Sequence, residues 1–213
     1  MSDEDFSERL AKAYGAKDQP SLNAAYDDWA LHYDRDVMSM GYTPHALVAG
    51  MAARYLPAGE GPILDVGAGT GLVGYLMKAF GFDDLTAFDM NAEMLKVAGS
   101  RGCYRETRQG LLGEPLAFPD GHFAAFVSAG TFTAGHAPAD CFEELARIVK
   151  PGGFFVLTLR GDDGSAEAYL DALAALEQAG AVSPLAESVP VRAFLLDPDE
   201  AHIMSVVKVF RRL

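Results

Sequence analysis

The sequence predicts an α/β fold: a mostly parallel sheet with helices on both faces, a helical extension in front and an antiparallel hairpin at the end. Three observations carry this. Ile63-Leu64-Asp65-Val66 is a short apolar run of the kind that forms a strand buried on both faces. It empties into Gly67-Ala68-Gly69-Thr70-Gly71, after which Leu72, Val73, Tyr75, Leu76 and Met77 begin a helical pattern. From Gly61 onward strand-like and helix-like segments alternate, the mark of a parallel sheet.

With 213 residues, half of them hydrophobic, the chain suits one α/β unit with a substantial core. A net charge of -13 repels phosphates at long range, so neither a nucleic acid nor an anionic membrane is an expected partner. Cys103 and Cys141 fit no metal spacing and no disulfide framework, and no metal is expected. The first residues, Met1-Ser2-Asp3-Glu4-Asp5, lack the basic-then-apolar order of a signal peptide, and no apolar run has the length of a membrane span. A cytoplasmic protein is expected.

Residues 1–60 read as a helical extension and 61–213 as the sheet domain. Phe6, Leu10, Ala13 and Tyr14 mark a short amphipathic helix ended by Gly15. Leu22, Tyr26, Trp29 and Tyr33 form one stripe of a helix over about 21–35, and Thr43-Pro44 caps a third helix running to about Tyr55. After the glycine turn come a helix over 70–79, the strand Leu85–Phe88 ending in Asp89, and a helix over 92–99 capped by Asn91. A third strand follows at Tyr104–Thr107 and a fourth at Phe123–Ser128. Next come a helix over 138–149, the turn Lys150-Pro151-Gly152-Gly153 and a fifth strand, Phe154–Leu159. A helix over 165–179 stops at Gly180, and Val191–Leu196 with Ile203–Phe210 reads as the closing hairpin.

The strand–glycine turn–helix corner is a ligand site, because glycines let the backbone turn sharply and approach a ligand that a side chain would block. Gly69-Thr70-Gly71-Leu72-Val73-Gly74 satisfies the dinucleotide pattern G-x-G-x-x-G. Asp65, two residues before the first glycine, would repel a pyrophosphate but attract an ammonium group, directly or through water. Asp89, at the end of the second strand, is placed to accept hydrogen bonds from ribose hydroxyls, a feature common to both kinds of cofactor.

The stretch Ile63–Gly71 resembles the first motif of the class I S-adenosylmethionine-dependent methyltransferases. Three further landmarks resemble the same family: Tyr26–Asp34 the segment Y-D-x-W-A-x-x-Y-D, Leu116–Phe123 the turn before the fourth strand, and Glu144–Gly153 the string E-x-x-R-x-x-K-P-G-G. With Val127–Phe132, the segment Tyr26–Asp34 is most similar to the Williams–Beuren-region methyltransferase-like subgroup. The resemblance implies a Rossmann-like, seven-stranded sheet and a methyl transfer from S-adenosylmethionine, leaving S-adenosylhomocysteine, to a small-molecule acceptor. It makes the helical extension a lid. Carried over by position, it implies a cofactor site of Tyr33, Asp65, Gly67, Ala68, Gly69, Gly71, Leu72, Asp89, Met90, Leu111, Leu112 and Ser128. Leu111 departs from the family, which often has an aspartate there for the adenine amino group, so backbone groups are left to read that edge.

No residue is assigned the chemistry itself. His136 and Asp140 are the candidates a substrate-facing loop offers, with His122 and Tyr42 behind them. An in-line displacement on a sulfonium gains much from alignment alone and needs a base only where the acceptor must lose a proton. Two rival readings stand beside this one: an NAD(P)-dependent oxidoreductase, and a non-catalytic module that binds S-adenosylmethionine or a partner protein.

Overall fold

The computed structural model describes residues 3–16, 18–133, 136–160 and 166–213. Ala134, Gly135 and the start of the helix expected from 165 lie outside the described residues, as do the side chains of Phe6 and Tyr14.

Four helices come first: α1 (Asp3–Tyr14), α2 (Gln19–Trp29), α3 (Tyr33–Ser39) and α4 (Pro44–Tyr55). The aromatic stripe expected on one helix over 21–35 is therefore broken. The helix stops at Trp29, the Ala30–His32 link turns, and Tyr33 opens the next helix. Asp18, not a residue of the stripe, caps α2 by accepting from the Ser21 N–H at 2.9 Å. Thr43 does not cap α4; its hydroxyl donates instead to the Arg192 carbonyl at 2.7 Å, tying this helix to the far end of the chain.

The sheet domain runs β1 (Ile63–Val66), α5 (Leu72–Ala79), β2 (Leu85–Asp89), α6 (Ala92–Ser100), β3 (Glu106–Gln109), β4 (Phe123–Phe132), α7 (Cys141–Ile148), β5 (Val149–Arg160) and α8 (Glu167–Gln178). It closes with β6 (Val182–Glu187), a two-residue β7 (Val191–Arg192) and β8 (Met204–Arg212). The order across the sheet is β3-β2-β1-β4-β5-β8-β6, with β7 pairing β8 to one side. Strands β1 to β5 pair in parallel, and β8 pairs antiparallel with β5, β6 and β7.

The antiparallel pair at the end forms, but its long partner is Val182–Glu187 rather than Val191–Leu196, of which only Val191 and Arg192 pair in a strand. Val182–Glu187 carries Pro184 and little apolar pattern, which hides it in the sequence. An edge strand tolerates a proline, and the register shifts there between Pro184 and Ala186. The third strand also lies two residues later than expected, at Glu106–Gln109.

Alternation along the strands separates two cores. Leu64, Val66, Phe126, Phe155 and Leu157 face α7 and α8, while Ile63, Ala125, Val127 and Val156 face α4 and α5. The first four helices thus divide. Helix α4 packs on the sheet through Val48, Ala49 and Ala52. Helices α1 to α3 gather in a smaller cluster, where Leu10, Leu22, Trp29 and Val37 meet Ala193, Phe194 and Ile203. Asp36 holds that cluster: it is buried, pairs with Arg9 at 2.7 Å and accepts from the Trp29 indole at 3.1 Å.

Candidate functional site

The glycine turn lies at the carboxyl end of β1, where parallel sheets place their ligands. Gly67, Gly69 and Gly71 all have positive φ, at 63°, 54° and 88°, a region costly for other residues. Gly67 is also crowded, since a Cβ there would overlap the Thr131 side chain. Thr131 is held at that spot because its hydroxyl and that of Ser128 both donate to the Val66 carbonyl, at 3.1 and 2.7 Å. Pairing of β4 with β5 shifts register between Ser128 and Phe132, and this irregularity turns Ala129, Gly130 and Thr131 toward the turn.

Between these segments lies a cavity at the carboxyl edge of the sheet. Of the residues expected in the cofactor site, Gly67, Gly69, Asp89, Met90, Leu111 and Leu112 line this cavity, and so does Tyr33 from α3. The Asp89 carboxylate accepts from the Gly69 N–H and from the Asn91 N–H, both at 2.8 Å, which fixes it at the cavity wall. Burial raises its pKa, and the backbone donors of Asn91, Gly69 and Met90 oppose that rise. Asn91 caps α6 by accepting from Met94 at 2.8 Å.

Five residues of the expected site do not line the cavity: Asp65, Ala68, Gly71, Leu72 and Ser128. Ser128 is buried and braces β1, while Leu72 packs against the α1–α3 cluster. Asp65 is the instructive case. Alternation puts it on the same face of β1 as Ile63, beneath α5, and it is 1% exposed. Its Oδ2 accepts from the Tyr104 hydroxyl at 2.5 Å, and its Oδ1 has no hydrogen-bond partner. Burial pushes its pKa up to about 7, against the opposing effects of Tyr104 and the Gly74 backbone. The third glycine of the G-x-G-x-x-G pattern has its reason here. A Cβ at Gly74 would overlap the Tyr104 ring, so the glycine admits the tyrosine that reaches Asp65.

A second cavity abuts the first and shares Tyr26, Tyr33, Gly130 and His136 with it. Its other walls include Trp29, Tyr42, Phe194, Ile203 and one cation, Arg160 at the end of β5. Of the four candidates for chemistry, His136 and Tyr42 line these spaces. Asp140 is exposed at the start of α7 and lines neither cavity. His122 is exposed at the opposite end of β4, its ring against Phe118 and Phe123.

Sequence reading missed how α2 closes over the site. Tyr26 Oη and His136 Nε2 are 3.1 Å apart, and the Gln19 amide donates to the His136 carbonyl at 3.2 Å. The Asn91 amide donates to Asp27 at 2.8 Å and to the Asn23 carbonyl at 3.0 Å. From α3, Asp34 accepts from the Thr70 hydroxyl at 2.5 Å and pairs with Arg101, whose Nε donates to the Thr70 carbonyl. No local pattern marks these partners, which are 31 to 117 residues apart. Among the described residues no group of three His, Cys, Asp or Glu is placed to hold a metal, and no helix is long and apolar enough to cross a membrane.

The chain matches the methyltransferase domain family over residues 64–157. It is similar to methyltransferase-like protein 27 of Homo sapiens, 37% identical over 182 residues, which are 81% of this chain and 72% of that protein. A demethylmenaquinone methyltransferase of Renibacterium salmoninarum is 31% identical over 152 residues; these are 70% of this chain and 62% of the relative, so the chain spans less than two thirds of it. Among solved structures, the complex of the Haloferax volcanii Trm112 methyltransferase activator with a candidate methyltransferase matches at TM-score 0.61 and 20% identity, covering 88% of this chain and 97% of that one. At that identity the likeness shows the fold.

Proposed function

The chain belongs to the class I S-adenosylmethionine-dependent methyltransferases, in the subgroup of human methyltransferase-like protein 27, and on that footing we propose that it methylates a small-molecule acceptor held in the second cavity, chiefly by alignment. The observation that carries this reading is the pair of abutting cavities with a shared wall of Tyr26, Tyr33, Gly130 and His136.

The first cavity suits the cofactor. Asp89 offers an ionised acceptor for the ribose hydroxyls, and Phe88, Met90, Leu111 and Leu112 offer an apolar slot for the adenine, with backbone groups of Gly110 and Leu111 at its edge. Tyr33 and the backbone of Gly67 and Gly69 are left to face the amino-acid end. No Lys or Arg is among the described residues that line it, which disfavours a pyrophosphate and hence NAD(P). Asp65 acts from beneath the turn, through Tyr104 and Gly74, rather than by direct contact. When bound, S-adenosylmethionine supplies an electrophilic methyl group on a sulfonium. The chain's own contribution is to hold an acceptor against the shared wall and to exclude water with α2 and α3.

The second cavity is bounded by aromatic and apolar side chains and enclosed by α1–α3 and the Ala193–Ser205 segment, which favours a small molecule over a polymer. The acidic surface points the same way. The test is a screen of labelled methyl transfer over small phenols, amines, thiols and carboxylic acids, run beside RNA and protein acceptors with and without a Trm112-type activator. Transfer to a small molecule by the chain alone supports the reading. Transfer only to a polymer, or only with the activator, would overturn the small-molecule assignment.

A further inference from the structure

Thr133, His136 and Tyr26 form a hydrogen-bonded row at the boundary between the two cavities. Thr133 Oγ1 is 3.0 Å from His136 Nδ1, and His136 Nε2 is 3.1 Å from Tyr26 Oη. Tyr26 and His136 line both cavities, and Thr133 lines the second. Thr133 and His136 are held from behind. The Tyr169 hydroxyl donates to the Thr133 carbonyl at 2.8 Å and to the Ala137 carbonyl at 2.7 Å, and the His136 N–H donates to the Thr133 carbonyl at 3.1 Å. A histidine held between two hydroxyls, one of them on a side chain that lines both cavities, can act as a general base, which the sequence pattern did not show.

We propose that this row is a proton relay, and that the acceptor is a small hydroxylated aromatic or enolic molecule that must lose its O–H proton to react. The proposal rests on the methyltransferase reading and names the acceptor class for it. The neutral tautomer has Nδ1–H donating to Thr133 Oγ1 and Nε2 accepting from the Tyr26 hydroxyl. As the acceptor O–H bond breaks, its electron pair stays on the acceptor oxygen and its proton passes to Tyr26 Oη. The proton already on Tyr26 moves to His136 Nε2. Tyr26 ends neutral and His136 ends as an imidazolium, which returns its proton to solvent once α2 lifts.

Among the described residues, several titratable and charged groups surround the row. They are Tyr33 of α3, Tyr42 before α4, Arg160 at the end of β5, Asp89 across the first cavity and Tyr169 of α8 behind the loop. Arg160 is among the residues that line the acceptor cavity.

The test uses the full chain saturated with S-adenosylhomocysteine and 4-nitrophenol as the probe. Calorimetry on the same sample first establishes that the product binds, so a failed methyltransferase reading is recognised by itself. The bound probe is expected to ionise with a constant raised about tenfold over the free phenol, one pKa unit lower. The His136 imidazole ¹⁵N shifts are expected to move to the protonated pattern in the wild-type protein as the probe binds. His136→Gln and Tyr26→Phe should each abolish the rise, while Thr133→Ser should keep it and Thr133→Val should lose most of it. If the product binds but the probe does not, or if the bound probe ionises like the free one with the His136 shifts unmoved, the relay is wrong. Equal ionisation of the bound probe in wild type and both variants would likewise overturn it.

Discussion

Tyr104 reaches through the gap left by Gly74 to donate a hydrogen bond of 2.5 Å to Asp65, directly beneath the glycine turn. Burial, and then the neighbouring carboxylate, push the Tyr104 hydroxyl well above its ordinary range, so it remains a donor. The first acidic residue of the motif therefore supports the turn from inside the protein.

A pH dependence of stability follows. The Asp65 pKa is raised by burial to about 7 in the folded chain, against an unfolded value near 3.8. A raised carboxyl pKa means the folded state holds the proton more tightly. Its stabilising effect is full below about pH 4 and is lost as pH rises through about 7. Asp65→Asn removes this titration, so its stability relative to wild type should rise between about pH 4 and pH 7, by up to about 4 kcal/mol. Denaturant unfolding of both proteins across that range checks it. A constant difference would mean Asp65 is not the titrating group.

Tyr104→Phe keeps the ring over Gly74 but leaves both Asp65 oxygens without a side-chain donor. An unsatisfied buried acceptor costs about 1–3 kcal/mol, so the variant should lose that much stability with little change in secondary structure. The loss should nearly vanish in an Asp65→Leu background, since a double-mutant cycle isolates the pair.

Asp89→Ala should weaken S-adenosylmethionine binding by about 2–4 kcal/mol, the loss of two hydrogen bonds to an ionised acceptor. It should also loosen the turn, because the Gly69 N–H loses its acceptor. Asp89→Asn keeps the size but carries no charge, and should fall between. Calorimetric titration of the three proteins gives the order directly.

The glycines should not be equivalent. Gly67→Ala meets both a positive φ and the Thr131 side chain, whereas a Cβ at Gly69 has nothing within 4 Å. Gly67→Ala should therefore cost the fold more in thermal unfolding. Gly69→Val should also lose stability, because its φ of 54° strains a β-branched residue, and should remove cofactor binding as its side chain projects into open space beside the cavity wall.

Helices α1–α3 should open and close as one piece. Trp29 is the only tryptophan and is buried against Asp36, so its fluorescence reports on this cluster. With saturating cofactor, hydrogen exchange over α2 and α3 should slow, since Tyr26, Asp27 and Asp34 are then held against His136, Asn91 and Thr70. Unchanged exchange would make the extension a fixed wall.

What the sequence showed and what it hid divide along physical lines. Elements set by short-range chemistry were legible: the glycine turn, Asp89 at the end of β2 and the Asn91 cap. The Val182–Glu187 strand was not, because an edge strand needs neither alternation nor a full set of N–H donors, and Pro184 reads as a breaker. The face that Asp65 joins was not legible, since the motif names a residue while the strand's two-residue period decides which face it takes. The row of Thr133, His136 and Tyr26 had no local signal, because Tyr26 lies 110 residues from His136 in sequence.

The most direct measurement is calorimetry of the purified chain with S-adenosylmethionine, S-adenosylhomocysteine and NAD in parallel. Binding of the first two and none of the third is the expected result, with Asp89→Ala weakening both. Micromolar binding of NAD with no heat from S-adenosylmethionine would contradict the reading of the glycine turn, Asp89 and the cavity between them.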